Sequence, residues 1–485
     1  IDEKKGQRDD MPFSAPVAGD LQKAIMLSDA CERRRGLTKA DVGNAFLLGT
    51  RGGQIGLGAL RERRAVIVRM PKGCRRYTPE GKELVLVCIA PIWGEKAAGF
   101  EWHVKLVGLL EDDHWQRCPE APCMWYKVTH DGHDARMLTI VDDLLISEDN
   151  MRHEIATQTV EYLRKKCGGK VTMEIEPTFY AGEVIERTFD PVSGRDTLAR
   201  SMTEKIADGV FEEAPEIVEG KPPPLKGKKL IEALKALQLP PKEERSKKLS
   251  KEGKRYASIT GKLRWYLRIL TGLNWMVHRL SKVVSCPPEG AIDVAISVLT
   301  LAYHARGQRV VYTRGLPSAS GMLKGALGAT IQQGDTAPAD LLAISDATWG
   351  INVQGPWACD DVYGFVLTRT GGKVHATTHD LGIVVDASSY AEAIGTSKAG
   401  ETVDEARAIE TALGIPPTAP TIVLTDNVPT RSSAAARARC GRATRCAATC
   451  RSSSAWSRPC ARSGSSRTPR TPPTASPRRS RTPST

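Results

Sequence analysis

An apolar run broken at its centre by two adjacent carboxylates limits how this chain can fold more than any other feature. In LTIVDDLLIS, residues 138–147, a strand-like stretch stops at Asp142 and Asp143 and then resumes. Burying neighbouring carboxylates is costly unless a partner offsets the lost hydration. The pair therefore belongs in a tight turn that faces solvent or a cation. Taken alone, a charged hairpin tip is the plainer of the two readings. A second acid lies in KADVGNAFLLG, residues 39–49, where Asp41 ends a polar stretch and Phe46 follows five residues later.

The foldable part of the chain ends near residue 430. From Arg431 to Thr485 there are 13 Arg, no Lys, no acidic residue and no Val, Leu, Ile or Phe. Such a segment cannot offset the cost of ordering a chain, so 431–485 is expected to be a disordered Arg/Ser/Pro tail. The same composition fits GC-rich coding sequence translated out of frame. The formal charge of +13 belongs to this tail, because the rest of the chain balances 56 basic against 56 acidic residues. A surplus confined to one terminal segment is not a nucleic-acid footprint on a folded surface.

The body suits about two or three domains. Its most apolar run, LVLVCIAPIW at 84–93, is about half of what a bilayer span needs, so no membrane partner is expected. The 12 cysteines contain no C-x-x-C pair, and neither Cys118 and Cys123 nor Cys440, Cys446 and Cys450 have zinc-type partners. They read as reduced intracellular thiols. The chain opens at Ile1 rather than Met, which suggests a fragment or a processed piece.

A basic Pro/Lys-rich linker is expected at 206–256; its segment 221–255 holds 12 basic and 4 acidic residues around one short helix. Apolar residues then recur every three or four positions from Ile259 to Val284, which predicts one amphipathic helix. From 341 the period shortens. LLAISD is a strand, and YGFVLTR and KVHATTH form a hairpin around Gly371 and Gly372. Ser388 or Ser389 can cap a helix that runs to about Leu413, stopped by Gly414 and Pro416. TIVLTDN, residues 421–427, completes the order β-β-β-α-β. The glycines of RGGQIGLGAL at 51–60 lack the Lys-Ser/Thr of a phosphate-binding loop and fit a plain loop instead.

Four segments then occur in a telling order: DVGNAFLLG, WGEKAAGFEW (93–102), CMWYKVTHDGHDARMLTIVDDLLIS and FYAGEVIER (179–187). Together they resemble the reverse transcriptase of copia-type retrotransposon polyproteins. YASITGKLRWYLRILTGLNWMVHRLSK (256–282) is similar to that family's connection segment, and AISDATWG, DASSYAEAIGTSKAG and VLTDN are similar to its ribonuclease H domain. The resemblance implies an α+β fold: a right-hand polymerase, fingers and palm over 1–205, a helical connection over 257–335 and a ribonuclease H-like domain over 340–430. It implies Mg²⁺ or Mn²⁺ on Asp41, Asp142 and Asp143 for polymerisation, and on Asp346, Glu392 and Asp426 for RNA hydrolysis. Phe46 would crowd the nucleotide sugar, and Gly94 would lie beside the nucleotide. Backbone amides near Gly43 would help hold phosphates. The implied partners are RNA template, DNA primer, RNA–DNA hybrid and deoxynucleotides. Capsid, protease and integrase parts are not in this chain, and the location would be a cytoplasmic particle or the nucleus.

The sequence also departs from the family pattern. Ile140 stands where a tyrosine is usual, Glu95, Lys96 and Ala97 replace a segment that normally carries glutamine, and TGLN (271–274) replaces Thr-Arg-Pro-Asp. No acid or histidine follows Asp426 in the tail, as a frameshift after Thr430 would produce. Trp93 and Trp102 bracket the nucleotide-side segment, where core packing is their commoner role and template contact the sharper one.

Overall fold

The computed structural model describes residues 15–49, 66–88, 91–92, 94–95, 97–240, 245, 248–316, 341–348, 361–381, 387–415 and 421–425. The fold they form is α+β. Asp426, Trp93, Lys96, the glycine-rich 51–60 and the tail 431–485 lie outside the described residues.

The first layer opens with α1 (Asp20–Glu32), β1 (Gly36–Val42) and the single turn α2 (Ala45–Leu48). The short hairpin β2 (Val66–Arg69) and β3 (Val85–Cys88) follows, then α3 (Ala98–Asp112). Next come β4 (Gln116–Arg117), β5 (Met124–Val128), β6 (Asp134–Ile140), β7 (Asp143–Glu148), α4 (Glu154–Lys166) and β8 (Val171–Ile175). Six of these strands build one antiparallel sheet in the order β4-β5-β6-β7-β1-β8. One of its faces packs on α3 and α4, where Trp102, Trp115, Trp125, Leu144 and Ile146 form a core with almost no exposure. The order inserts β1 between β7 and β8, and this brings Asp41 beside the β6–β7 turn.

The second layer starts with β9 (Phe179–Tyr180), β10 (Glu183–Asp190) and β11 (Arg195–Ser201). Five helices follow: α5 (Thr203–Glu213), α6 (Pro215–Val218), α7 (Gly227–Ala236), α8 (Lys251–Tyr266) and α9 (Asn274–Lys282). After α10 (Ala291–His304), β12 (Arg309–Thr313) returns to close the antiparallel sheet β12-β11-β10-β9. The stretch expected as a linker therefore carries helices that pack. On α7, Leu230 and Leu234 are buried, and Arg279 of α9 donates to the carbonyls of Leu234, Lys235 and Leu237. Lysines read from sequence as a solvated run can occupy the outer face of such a helix while its leucines dock.

The single helix expected from Ile259 to Val284 is two helices, α8 and α9, separated by a 3-10 turn at Thr271–Leu273. The apolar stripe continues through the break, because Leu270, Leu273, Val277 and Leu280 are all buried. Periodicity registers which residues are buried, and a short 3-10 turn changes the phase too little to erase it.

The third layer is β13 (Leu342–Ala347), β14 (Val362–Arg369), β15 (Gly372–Asp380), α11 (Ser388–Ala412) and β16 (Ile422–Leu424). Its sheet runs β15-β14-β13-β16, antiparallel except for the parallel pair β13–β16. Two local expectations are corrected. The hairpin turns on Thr370 and Gly371, with φ of 51° and 74°, one residue earlier than the sequence suggests. Gly372 is instead the first residue of β15, and a Cβ there would lie 2.4 Å from Tyr312 Cδ1 and 2.6 Å from the Val311 carbonyl. Its glycine serves the close approach of β15 to β12. Gly372→Ala is accordingly expected to lower stability by about 1–3 kcal/mol in urea denaturation. At α11 the residue before the helix is Ala387, without a side-chain cap, so Ser388 starts the helix rather than capping it.

Candidate active sites

The β6–β7 hairpin places the paired aspartates. Ile140 pairs with Asp143, which leaves Val141 and Asp142 as a two-residue turn. Val141 has φ of 60°, and Asp142 does not share a positive φ. A left-handed first position is ordinarily taken by glycine, and a β-branched residue there stores strain of about 1–3 kcal/mol. Two hydrogen bonds hold the strained turn. The Val42 amide donates to the Asp142 carbonyl at 3.1 Å, and Trp102 Nε1 donates to the Val141 carbonyl at 2.7 Å.

The register sets Asp41 directly across from Asp143. Facing residues of an antiparallel pair hold their Cβ atoms about 5 Å apart, so the two carboxylates share one side of the sheet. All three acids are half-buried. Burial, then the negative charge of Asp41, pushes the Asp142 carboxyl above its ordinary range. Asp143 is also raised, first by burial; Lys39 opposes this, while Asp41 and Asp142 reinforce it. Oxygen donors that repel one another in partial isolation from water are the set that a hard divalent cation satisfies. Among the described residues, no three-ligand group is closed tightly enough to hold a metal by itself.

Around this hairpin the other sequence candidates fall unevenly. Phe46 lies on α2, half-buried, with its ring 3.8 Å from where a Cβ on Gly99 of α3 would sit. Gly94 is an exposed turn residue before α3, with φ of 87°. The Gly43 amide itself donates to the Lys170 carbonyl at 2.7 Å. Its N–H is consumed in joining β1 to β8. Trp102 is fully buried, which settles it as a core residue, yet its indole fixes the turn. Sequence reading missed that positioning role, since nothing local to WGEKAAGFEW marks a bond to residue 141.

Trp102→Phe removes that bond and keeps most of the packing. The expected loss is about 1–2 kcal/mol in urea denaturation.

A second group of acids gathers where β13 and β16 end. Glu392 lies in the second turn of α11 and is buried. Its Oε1 accepts the Ala347 amide at 3.0 Å and its Oε2 accepts the Thr425 hydroxyl at 3.3 Å. Those residues adjoin Asp346 and Asp426 in sequence, so Glu392 bridges the carboxyl ends of two parallel neighbours. Asp346 is exposed one residue before the end of β13. Gly395 allows the approach: a Cβ there would sit 3.1 Å from Tyr363 Cβ and 3.7 Å from the Asp346 carbonyl.

The cysteines Cys31, Cys74, Cys118, Cys123, Cys167 and Cys286 are free thiols. Among the described residues no helix is long and apolar enough to cross a membrane.

The sequence matches no protein-family profile and no curated protein.

Proposed function

We propose that this chain is an RNA-directed DNA polymerase with ribonuclease H activity, derived from a copia-type retrotransposon polyprotein. The observation that carries the reading is Asp41 lying in register across from Asp143, beside Asp142 on a strained turn. Asp41, Asp142 and Asp143 would hold Mg²⁺ or Mn²⁺, and Asp346, Glu392 and Asp426 would hold a second set. When bound, such ions lower the pKa of an attacking hydroxyl or water and stabilise the leaving oxygen. The chain's own part is geometric. The β6–β7 turn aims two carboxylates, β1 brings the third, and Phe46 would limit the space around the nucleotide sugar. Template, primer, hybrid and deoxynucleotides are the partners this reading requires.

Primer extension on an RNA template with Mg²⁺ tests the proposal, with the double variant Asp142→Asn, Asp143→Asn as control. Incorporation above that control supports it. Absence of any difference leaves a second reading, a decayed copy that folds and binds hybrid without turnover. That alternative has its own support in Ile140, which is packed against the core without the hydroxyl usual beside the aspartates.

The two active sites separate experimentally. Glu392→Gln is expected to lower cleavage of the RNA strand by about a hundredfold or more while primer extension persists. Equal loss of both activities would assign Glu392 to folding instead.

A further inference from the structure

A cavity of about 410 Å³ opens between the end of α8, α9 and β15, and none of Asp41, Asp142, Asp143, Asp346 and Glu392 lines it. Strand β15 lines one wall with Lys373 and the run from His375 to His379. From α9 come Asn274, His278 and Ser281, and from the α8 end Arg264 and Arg268. Leu267, Val277 and Ala376 supply an apolar portion. The polar lining is dominated by groups that can donate hydrogen bonds.

The charge around it does not balance. Six cations, Arg264, Arg268, Lys282, Lys373, Lys23 and Arg200, line the cavity or the ion network beside it. Among the described residues three carboxylates oppose them, of which Asp20 itself lines the cavity, and each is already engaged. Asp20 and Glu183 pair with Arg200 and Lys23, with Glu183 also 3.9 Å from Arg268, while Asp380 pairs with His278 and Lys282. Arg264 is exposed and pairs with no carboxylate among the described residues. The Lys373 ammonium is turned to the Leu267 and Arg268 carbonyls, which fixes it at the wall without cancelling its charge.

We propose that this cavity binds a phosphate-bearing ligand, held between the arginines at the end of α8 and the Lys373–His375–Thr377 face of β15. A tetrahedral anion of charge near two accepts hydrogen bonds from several directions, which suits guanidinium, imidazole and hydroxyl donors converging from three elements. The site is independent of the carboxylate chemistry proposed above. Its phosphate can belong to a free pyrophosphate or to the backbone of a hybrid strand.

Imidazole ¹⁵N resonances of the full-length protein distinguish these sources. Pyrophosphate should shift His375 and His379 saturably, and Arg264→Gln, at an exposed and unpaired position, should weaken its binding about tenfold. Shifts produced by a short RNA–DNA hybrid and not by pyrophosphate assign the same phosphate site to a strand backbone. Resonances that stay fixed with both probes, or shifts that Arg264→Gln and His375→Gln leave equally strong, overturn the proposal.

Discussion

Asp143→Asn is expected to abolish primer extension, by about a thousandfold or more, and at the same time to make the protein more resistant to urea at pH 7. The two effects have one cause. Burial and the charges of Asp41 and Asp142 raise the Asp143 carboxyl above its ordinary value of 3.8, so the ionised group opposes folding. A folded-state pKa above the unfolded one means that the native protein binds more protons between the two values. Stability is therefore lost as pH rises through that window, and a neutral Asn recovers it. The gain in stability should shrink as pH is lowered and vanish below about pH 4, where the acid is protonated in both states. Water screens these half-exposed carboxylates and keeps the gain small. A variant that loses activity and stability together at pH 7 would contradict this account, since Asp143 would then be making a structural contact. Opposed changes are the signature of a group kept for chemistry at the expense of folding.

The hairpin was legible because its signals are local. An apolar run interrupted by two acids admits little but a turn, and β6 and β7 flank Asp142 as that argument requires. The β13-β14-β15-α11-β16 order was equally readable, since each element carries its own period and its own stop signals. What escaped was whatever depends on distant partners. Helix α1 gave no signal: it is buried nearly all round, Lys23 and Asp29 included, so it lacks the polar face that marks a surface helix. The ends of the acid groups were placed by strand and helix boundaries, but the bond from Trp102 to Val141 joins residues 39 apart, and Glu392 reaches Thr425 across 33. Turn residues shifted by one at Gly371 because a second demand, the approach of Tyr312, claims Gly372. Sequence alone does not rank two reasons for a glycine.

Arg200→Met is expected to cost about 3–5 kcal/mol of folding stability at pH 7, the largest effect of any single change away from the acid groups. Arg200 is completely buried on β11, where its Nε donates to Glu183 Oε2 at 2.8 Å and its remaining nitrogens reach Asp20 and the Tyr312 hydroxyl. Lys23 of α1 bonds Glu183 as well, so the cluster ties α1 to β10 and β11. Burial alone would raise the Glu183 carboxyl; Arg200 and then Lys23 outweigh it and hold the group below its ordinary value. The same balance holds Asp20 low. Carboxyls lowered in the folded state stabilise it above their unfolded pKa, and that stabilisation is lost as pH falls through the folded value. Removing Arg200 takes away the main cause of the lowering and leaves buried Glu183 and half-buried Asp20 facing Lys23, whose own ammonium burial pulls down to about 8. The deficit relative to wild type should therefore be large at pH 7 and narrow towards pH 4, as Glu183 and Asp20 take up protons in the variant. Urea denaturation at both pH values reads this directly. Arg200→Lys should recover only part of the loss, because one ammonium cannot bond Glu183, Asp20 and Tyr312 in the geometry of a planar guanidinium. A pH-independent deficit would mean that Arg200 contributes by packing alone.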